Sequence, residues 1–155
     1  MPNPPSNGAQ PQGCTHLQLR QLMRRVAQHY DAELASCGLK TTQYSLLTAV
    51  DRLGPLQPGT LARTLGLQAS TLTRNLKPLV ASDLLCLGPG PDGRSRLVGI
   101  TAAGRAKRAE AKRAWLAAQL ALNGRLGLER VGALHALIQE SLALLAAPQE
   151  HGEAG

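Results

Sequence analysis

Apolar residues recur at steps of three and four along most of this chain, and that spacing predicts helices. Over residues 15–36 they fall at Leu19, Leu22, Met23, Val26, Tyr30 and Leu34, with Thr15 as the expected cap and Gly38 as the stop. A second helix is expected over about 42–53, capped by Thr41 or Thr42, apolar at Tyr44, Leu47 and Val50, and closed by Gly54-Pro55. A short third helix over roughly 59–65 ends at Gly66, and a fourth over about 69–81 turns Leu72, Leu76 and Leu79 or Val80 inward. The period then changes. Leu84-Leu85-Cys86-Leu87 reads as a short strand in which Cys86 is core, and Leu97, Val98 and Ile100 read as its return. The Gly/Pro-rich tip between them, Gly88 to Gly93, makes a β-hairpin with a projecting loop. Thr101 caps a long helix over about 102–122 that Gly124 and Gly127 break. A last helix over about 129–145 aligns Val131, Leu134, Ile138, Leu142 and Leu145. Residues 1–13, with Pro2, Pro4, Pro5 and Pro11, read as a disordered arm, and the tail 148–155 reads the same way. The pattern predicts a mainly α fold with a small β-hairpin.

The order helix, short helix, tight turn, helix, hairpin is that of a winged helix-turn-helix, here over residues 40–101. Gly66 sits at the junction of the two helix-turn-helix elements, where a tight turn calls for positive φ. The fourth helix is then the recognition helix. Its first turn carries Gln68, Ala69, Ser70 and Thr71, followed by Thr73 and Arg74. Hydroxyls and amides donate and accept at base edges, and an arginine forks onto guanine. Small side chains at Ala69 and Ser70 permit close approach to the groove, and Lys77 one turn on suits a phosphate. At the hairpin tip, Arg94 and Arg96 suit the negative potential of a narrow minor groove. Asp92 there is expected to orient a guanidinium, because a carboxylate facing phosphate is repelled. Taken alone, hydroxyls at a helix start are caps and outer arginines are solvated. The neighbouring turn and hairpin favour the duplex.

Composition sharpens this reading. A chain of 155 residues amounts to about one domain. Aromatic residues are only 2%, too few for a base-stacking platform, while a net charge of +7 favours a polyanionic partner. No window approaches the apolar run a membrane span needs, and the N-terminus lacks the apolar stretch of a signal peptide, so a cytoplasmic protein with no membrane contact is expected. Cys14, Cys37 and Cys86 match neither a disulfide framework nor zinc-site spacing. No nucleophile with its base, phosphate loop or metal motif is visible, so neither catalysis, a cofactor nor a metal is expected.

The segments GLKTTQYSLL, LARTLGLQASTLTRNLKPL and PDGRSRLVGITAAGRA resemble the MarR (multiple antibiotic resistance regulator) family over about residues 15–145. The most specific piece is the wing Asp92-x-Arg94-Ser95 running into Ile100-Thr101-x-x-Gly104. The resemblance implies a homodimer joined through residues 14–39 and 102–147, with two winged lobes on a pseudo-palindromic double-stranded DNA site. It also implies repression relieved by a small ligand or an oxidant, the ligand lying between lobe and dimer helices. Three departures stand out. Gly93 occupies a wing position usually held by arginine, Gln68 stands where an aspartate commonly caps the recognition helix, and Pro78 predicts a bend or early end of that helix.

The effector is less legible. A small aromatic or phenolic acid would find rings and polar tips at His29, Tyr30, Gln43, Tyr44 and Trp115, although Tyr44 and Trp115 equally suit core or dimer packing. An oxidant would act through Cys14, close to a helix start, which otherwise is an ordinary thiol. Arg105, Lys107, Arg108, Lys112 and Arg113 spread over several helix faces and read as solvated rather than as one stripe. A winged-helix module for protein–protein assembly, without base reading, is the competing class.

Overall fold

The computed structural model describes residues 10–146 and builds two parts, a winged lobe and a set of long helices. The elements run α1 (Thr15–Leu34), a 3-10 turn (Ala35–Cys37), α2 (Thr41–Leu53), α3 (Pro58–Leu65), α4 (Ala69–Ala81), β1 (Leu85–Pro89), β2 (Arg96–Ile100), α5 (Ala102–Leu126) and α6 (Leu128–Ala146). The mainly helical fold with a two-stranded wing is thus present. Most of the proposed arm, and all of the tail 148–155, lie outside the described residues.

The lobe is held by a leucine core. Leu46, Leu47 and Val50 of α2, Leu61 of α3, Leu72, Leu76 and Leu79 of α4, and Leu85 and Val98 of the wing are buried together. Burying a leucine contributes about 1.5–3 kcal/mol, so this cluster is what orients α4. Gly66 adopts φ +62° between α3 and α4, as a tight turn requires of a residue without Cβ. β1 and β2 pair antiparallel, Leu85 opposite Ile100 and Pro89 opposite Arg96. Leu56 adds an isolated bridge to Val98, its N–H and C=O both engaged at 3.2 and 2.8 Å.

Several expectations change. Pro78 neither ends α4 nor shortens it, because the helix continues to Ala81 with Leu79 anchored in the core. Gly124 is carried inside α5, and only Gly127, at φ +87°, stops it. Strand β1 extends through Gly88 and Pro89, which had read as turn. Cys86 is exposed rather than core. Only one face of the hairpin meets the lobe, and strand alternation that turns Leu85 inward turns Cys86 out.

The cap of α2 also differs. Neither Thr41 nor Thr42 serves. Asp31 of α1 accepts from Thr41 N–H at 2.6 Å, and Gln43 Oε1 accepts from Lys40 N–H at 3.0 Å. At α1 the cap position is Cys14 rather than Thr15, with no side-chain cap. Thr101 does cap α5, accepting from Gly104 N–H at 2.9 Å and donating to Asp83 C=O at 2.6 Å.

The long helices are less satisfied. Of the apolar face expected on α1, only Leu34 is buried, while Leu19 is 54% and Met23 68% exposed. On α6 only Val131 is buried, and Leu142 and Leu145 are 57% and 84% exposed.

Candidate nucleic-acid interface

Ser70, Thr73, Arg74 and Lys77 lie exposed on the face of α4 opposite the leucine core, while Gln68 and Ala69 are exposed at its N-terminal end. The register that buries Leu72, Leu76 and Leu79 forces this, because residues three and four apart share a helix face. Thr71 is half-buried, its carbonyl accepting from Asn75 Nδ2 at 2.9 Å. Thr73 donates its hydroxyl to Ala69 C=O at 2.9 Å, which leaves its lone pairs and methyl outward. Gln68 makes no side-chain cap, in keeping with its weaker capping chemistry. The first N–H groups of α4 therefore lack a side-chain acceptor from that residue and lie beside Ser70 at the exposed end.

The wing is built differently from the expectation. Asp92 meets no guanidinium. Its Oδ1 accepts from Arg94 N–H at 3.1 Å, Ser95 N–H at 2.9 Å and Ser95 Oγ–H at 2.7 Å. A short carboxylate follows the local backbone more readily than it reaches a long, solvated arginine. The tip closes with Gly93 N–H on Gly90 C=O at 3.0 Å, and Gly93 sits at φ +70°. Arg94 stands exposed on this braced loop, and Arg96 stands exposed beside it at the start of β2.

The three hydrogen bonds hold the Asp92 carboxyl down to about 2. A depressed carboxylate contributes its stability above the ordinary value near 3.8 and loses it only as pH falls through about 2. The amide signals of Arg94 and Ser95 should therefore stay fixed from neutral pH down to ordinary carboxylate titration, and move only in stronger acid. A midpoint near 4 in an NMR titration would show that the brace is not formed.

The residues expected to line an effector site divide. Tyr44 and Trp115 stack, centroids 6.0 Å apart and planes 23° from parallel. They line a groove of about 740 Å³ between α2, α3 and α5, together with Thr48, Arg52, Arg108 and Lys112. His29, Tyr30 and Gln43 are not part of it. His29 Nε2 meets Ala118 C=O at 3.1 Å, Tyr30 donates to Gln119, and Gln43 is the α2 cap. His29 and Tyr30 instead fasten α1 to α5, and burial raises the Tyr30 phenol above its usual value.

Sequence reading missed the cations of this groove. Arg105, Arg108 and Lys112 are spaced i, i+3, i+7 and Trp115 follows three residues on, which is one stripe after all. Lys107 and Arg113 lie off it, and their presence hid the pattern. Asp51 of α2 takes two of these cations, Arg105 Nε at 3.3 Å and Arg108 Nη1 at 3.0 Å. Among the described residues, two buried side-chain polar atoms lack a partner, Thr48 Oγ1 and Arg108 Nε, and both residues line the groove. Such atoms cost about 1–3 kcal/mol each when left without a hydrogen bond.

Cys14 is exposed at the start of α1, its carbonyl accepting from Gln18 N–H at 3.1 Å. Cys37 is half-buried, its sulfur 3.8 Å from Ser36 Oγ.

Comparison with known proteins places these features in context. Residues 38–95 match the sequence model of the MarR family. An uncharacterized HTH-type transcriptional regulator of Bacillus subtilis, YwoH, is 30% identical over 84 residues. That match covers 54% of this chain and spans 61% of the length of the relative. The Mycobacterium tuberculosis transcriptional regulator MosR, solved in complex with DNA, superposes with a TM-score of 0.72 at 29% identity, covering 87% of this chain and 100% of that one. A MarR of E. coli complexed with operator DNA shares the fold at a TM-score of 0.74 and 20% identity, covering 82% of this chain and 92% of that chain.

Proposed function

From a winged helix-turn-helix lobe whose residues 38–95 match the sequence model of the MarR family, we propose that this chain is a homodimeric transcriptional regulator of that family. It binds a pseudo-palindromic double-stranded DNA operator as a repressor and releases it on binding a small aromatic or phenolic acid. The observation that carries the reading is the two-sidedness of α4, which sinks three leucines into the lobe and turns Gln68, Ser70, Thr73, Arg74 and Lys77 to the outside. The DNA complex of MosR supports it, because that protein shares most of this chain's length and fold. Dimerisation is supported by the apolar residues of α1 and α6 left exposed on the single chain. The acid effector is supported by the aromatic pair and the cations of the groove.

In this assignment Gln68, Ala69, Ser70, Thr71, Thr73 and Arg74 meet the major groove, and Lys77 meets phosphate. Arg94 and Arg96 enter the minor groove on the wing that Asp92 braces. No helix among the described residues is long and apolar enough to cross a membrane.

The test is selection from a random duplex pool, followed by affinity measurements on the selected site. Arg74→Ala should cost about 1–3 kcal/mol and relax discrimination at one base step. Lys77→Ala should weaken all sequences alike and lower the slope of log affinity against log salt by about one unit. Full discrimination in the Arg74 variant, or an unchanged salt slope in the Lys77 variant, would remove that residue from its role. A pool that yields no enriched duplex would overturn the function itself.

A further inference from the structure

The groove beside Trp115 contains an arginine with two claims on it. Arg108 gives one nitrogen, Nη1, to Asp51 at 3.0 Å, while its Nε is buried and unpartnered. Thr48 Oγ1, on the same wall, is also buried and unpartnered. Lys112 and Arg52 add two more cations, and among the described residues no carboxylate lines the groove. The stacked rings of Tyr44 and Trp115 close one side as an apolar wall. A planar apolar body carrying an anionic group fits these surroundings, since carboxylate oxygens accept from guanidinium and hydroxyl alike.

Asp51 is the element such an anion would displace. It stands on α2, inside the winged lobe, whereas Arg105 and Arg108 stand on α5, the helix that runs away from the lobe. Arg105 is largely exposed, so its ion pair is weak, and Arg108 is the more buried of the two partners. The tie between lobe and long helix at this point therefore runs mainly through Arg108.

Building on the acid-effector reading above, we propose that Arg108 is a latch exchanged between Asp51 and the anionic group of a bound aromatic acid. Binding of the acid draws the guanidinium off Asp51 and loosens α5 from α2, which shifts the lobe relative to its symmetry mate. Two ligands that compete for one latch are coupled, and the coupling acts equally in both directions.

The experiment uses the full chain and its selected operator. Benzoate, 4-hydroxybenzoate and 1-naphthoate serve as probes, each paired with its uncharged methyl ester. Trp115 is the single tryptophan of the chain and lies in the groove, so its fluorescence reads occupancy directly. At least one acid should bind the wild type more tightly than its ester, and Arg108→Gln should abolish that preference. Asp51→Asn should raise affinity for the acid by about tenfold, because the competing carboxylate is gone. In the wild type the acid should weaken operator binding about fivefold or more, and in Asp51→Asn by less than about twofold. Arg108→Lys, which keeps charge but not the fork, should restore only part of the acid preference.

An acid that binds the wild type and both variants equally, or that shifts operator affinity as much in Asp51→Asn as in the wild type, overturns the latch while leaving the effector reading intact. An ester that binds as well as its acid does the same. If no probe, charged or uncharged, perturbs Trp115, the effector reading falls and the latch falls with it.

Discussion

Charging the exposed face of α6 with Ile138→Glu and Leu142→Glu should yield a monomer whose operator affinity is lower by about 10²–10⁴-fold, the usual gain from joining two half-site contacts. The reason lies in what the single chain leaves uncovered. Ile138, Leu142 and Leu145 of α6, and Leu19, Leu22 and Met23 of α1, are exposed on helices whose sequence spacing marks them as core. A monomer seldom leaves such faces in water, and the opposing helices of a second copy are the complement that symmetry supplies. In the proposed dimer the two glutamates would sit on an isologous face and meet their own images, so each substitution would act twice. Sedimentation reads the assembly, and the Tyr44–Trp115 pair reports by fluorescence whether the lobe remains folded. A double variant that stays dimeric would place the interface elsewhere.

Gly104→Ala should destabilise the fold by about 3 kcal/mol, the upper end of what overpacking costs. A Cβ built on Gly104 collides with the backbone oxygen of Leu84 and lies 2.8 Å from Ile100 Cγ1. A carbonyl that belongs to the wing's approach cannot step aside as a flexible side chain does. Leu84 C=O already accepts from Thr101 N–H at 3.2 Å, so movement there also disturbs the α5 cap. Chemical denaturation measures the loss. An unchanged midpoint would show that α5 and the wing are not held in the contact described. The nearest neighbours of Gly104 are Leu84 and Ile100 at the base of the wing, so any remaining folded protein should keep its sequence preference.

The helices of the lobe were legible because their apolar residues and their punctuation agree. Leu72, Leu76 and Leu79 mark a buried face, and Gly66 marks the turn before it. Thr101 was legible as a cap for the same reason, since a hydroxyl at a strand end precedes a helix. The early end expected of Pro78 does not occur, because the rule concerns local backbone bonding, whereas the burial of Leu79 holds the last turn of α4 in place. Cys86 misled because a strand of a two-stranded wing has only one covered face, and hydrophobicity alone does not say which.

The site was legible in part. The outward residues of α4 follow from the leucine register, and Tyr44 and Trp115 do share a groove. His29, Tyr30 and Gln43 did not join them, because their hydrogen bonds are spent on helix contacts and a cap that no local pattern reveals. Asp51 was passed over because its partners lie 54 and 57 residues away in sequence (105 − 51 and 108 − 51). Leu56 likewise pairs with Val98 across a long stretch of chain, and nothing around it but two flanking prolines signals a strand. Non-local pairing of this kind is what a one-dimensional reading loses.

Hydroxyl-radical footprinting of the full chain on its selected duplex tests the central claim most directly. The account predicts two protected half-sites related by a dyad, their centres about 10 base pairs or a small multiple apart, with flanking minor-groove protection from the wings. A single asymmetric footprint, or protection that persists unchanged when Arg74 and Arg94 are both replaced by alanine, would contradict it.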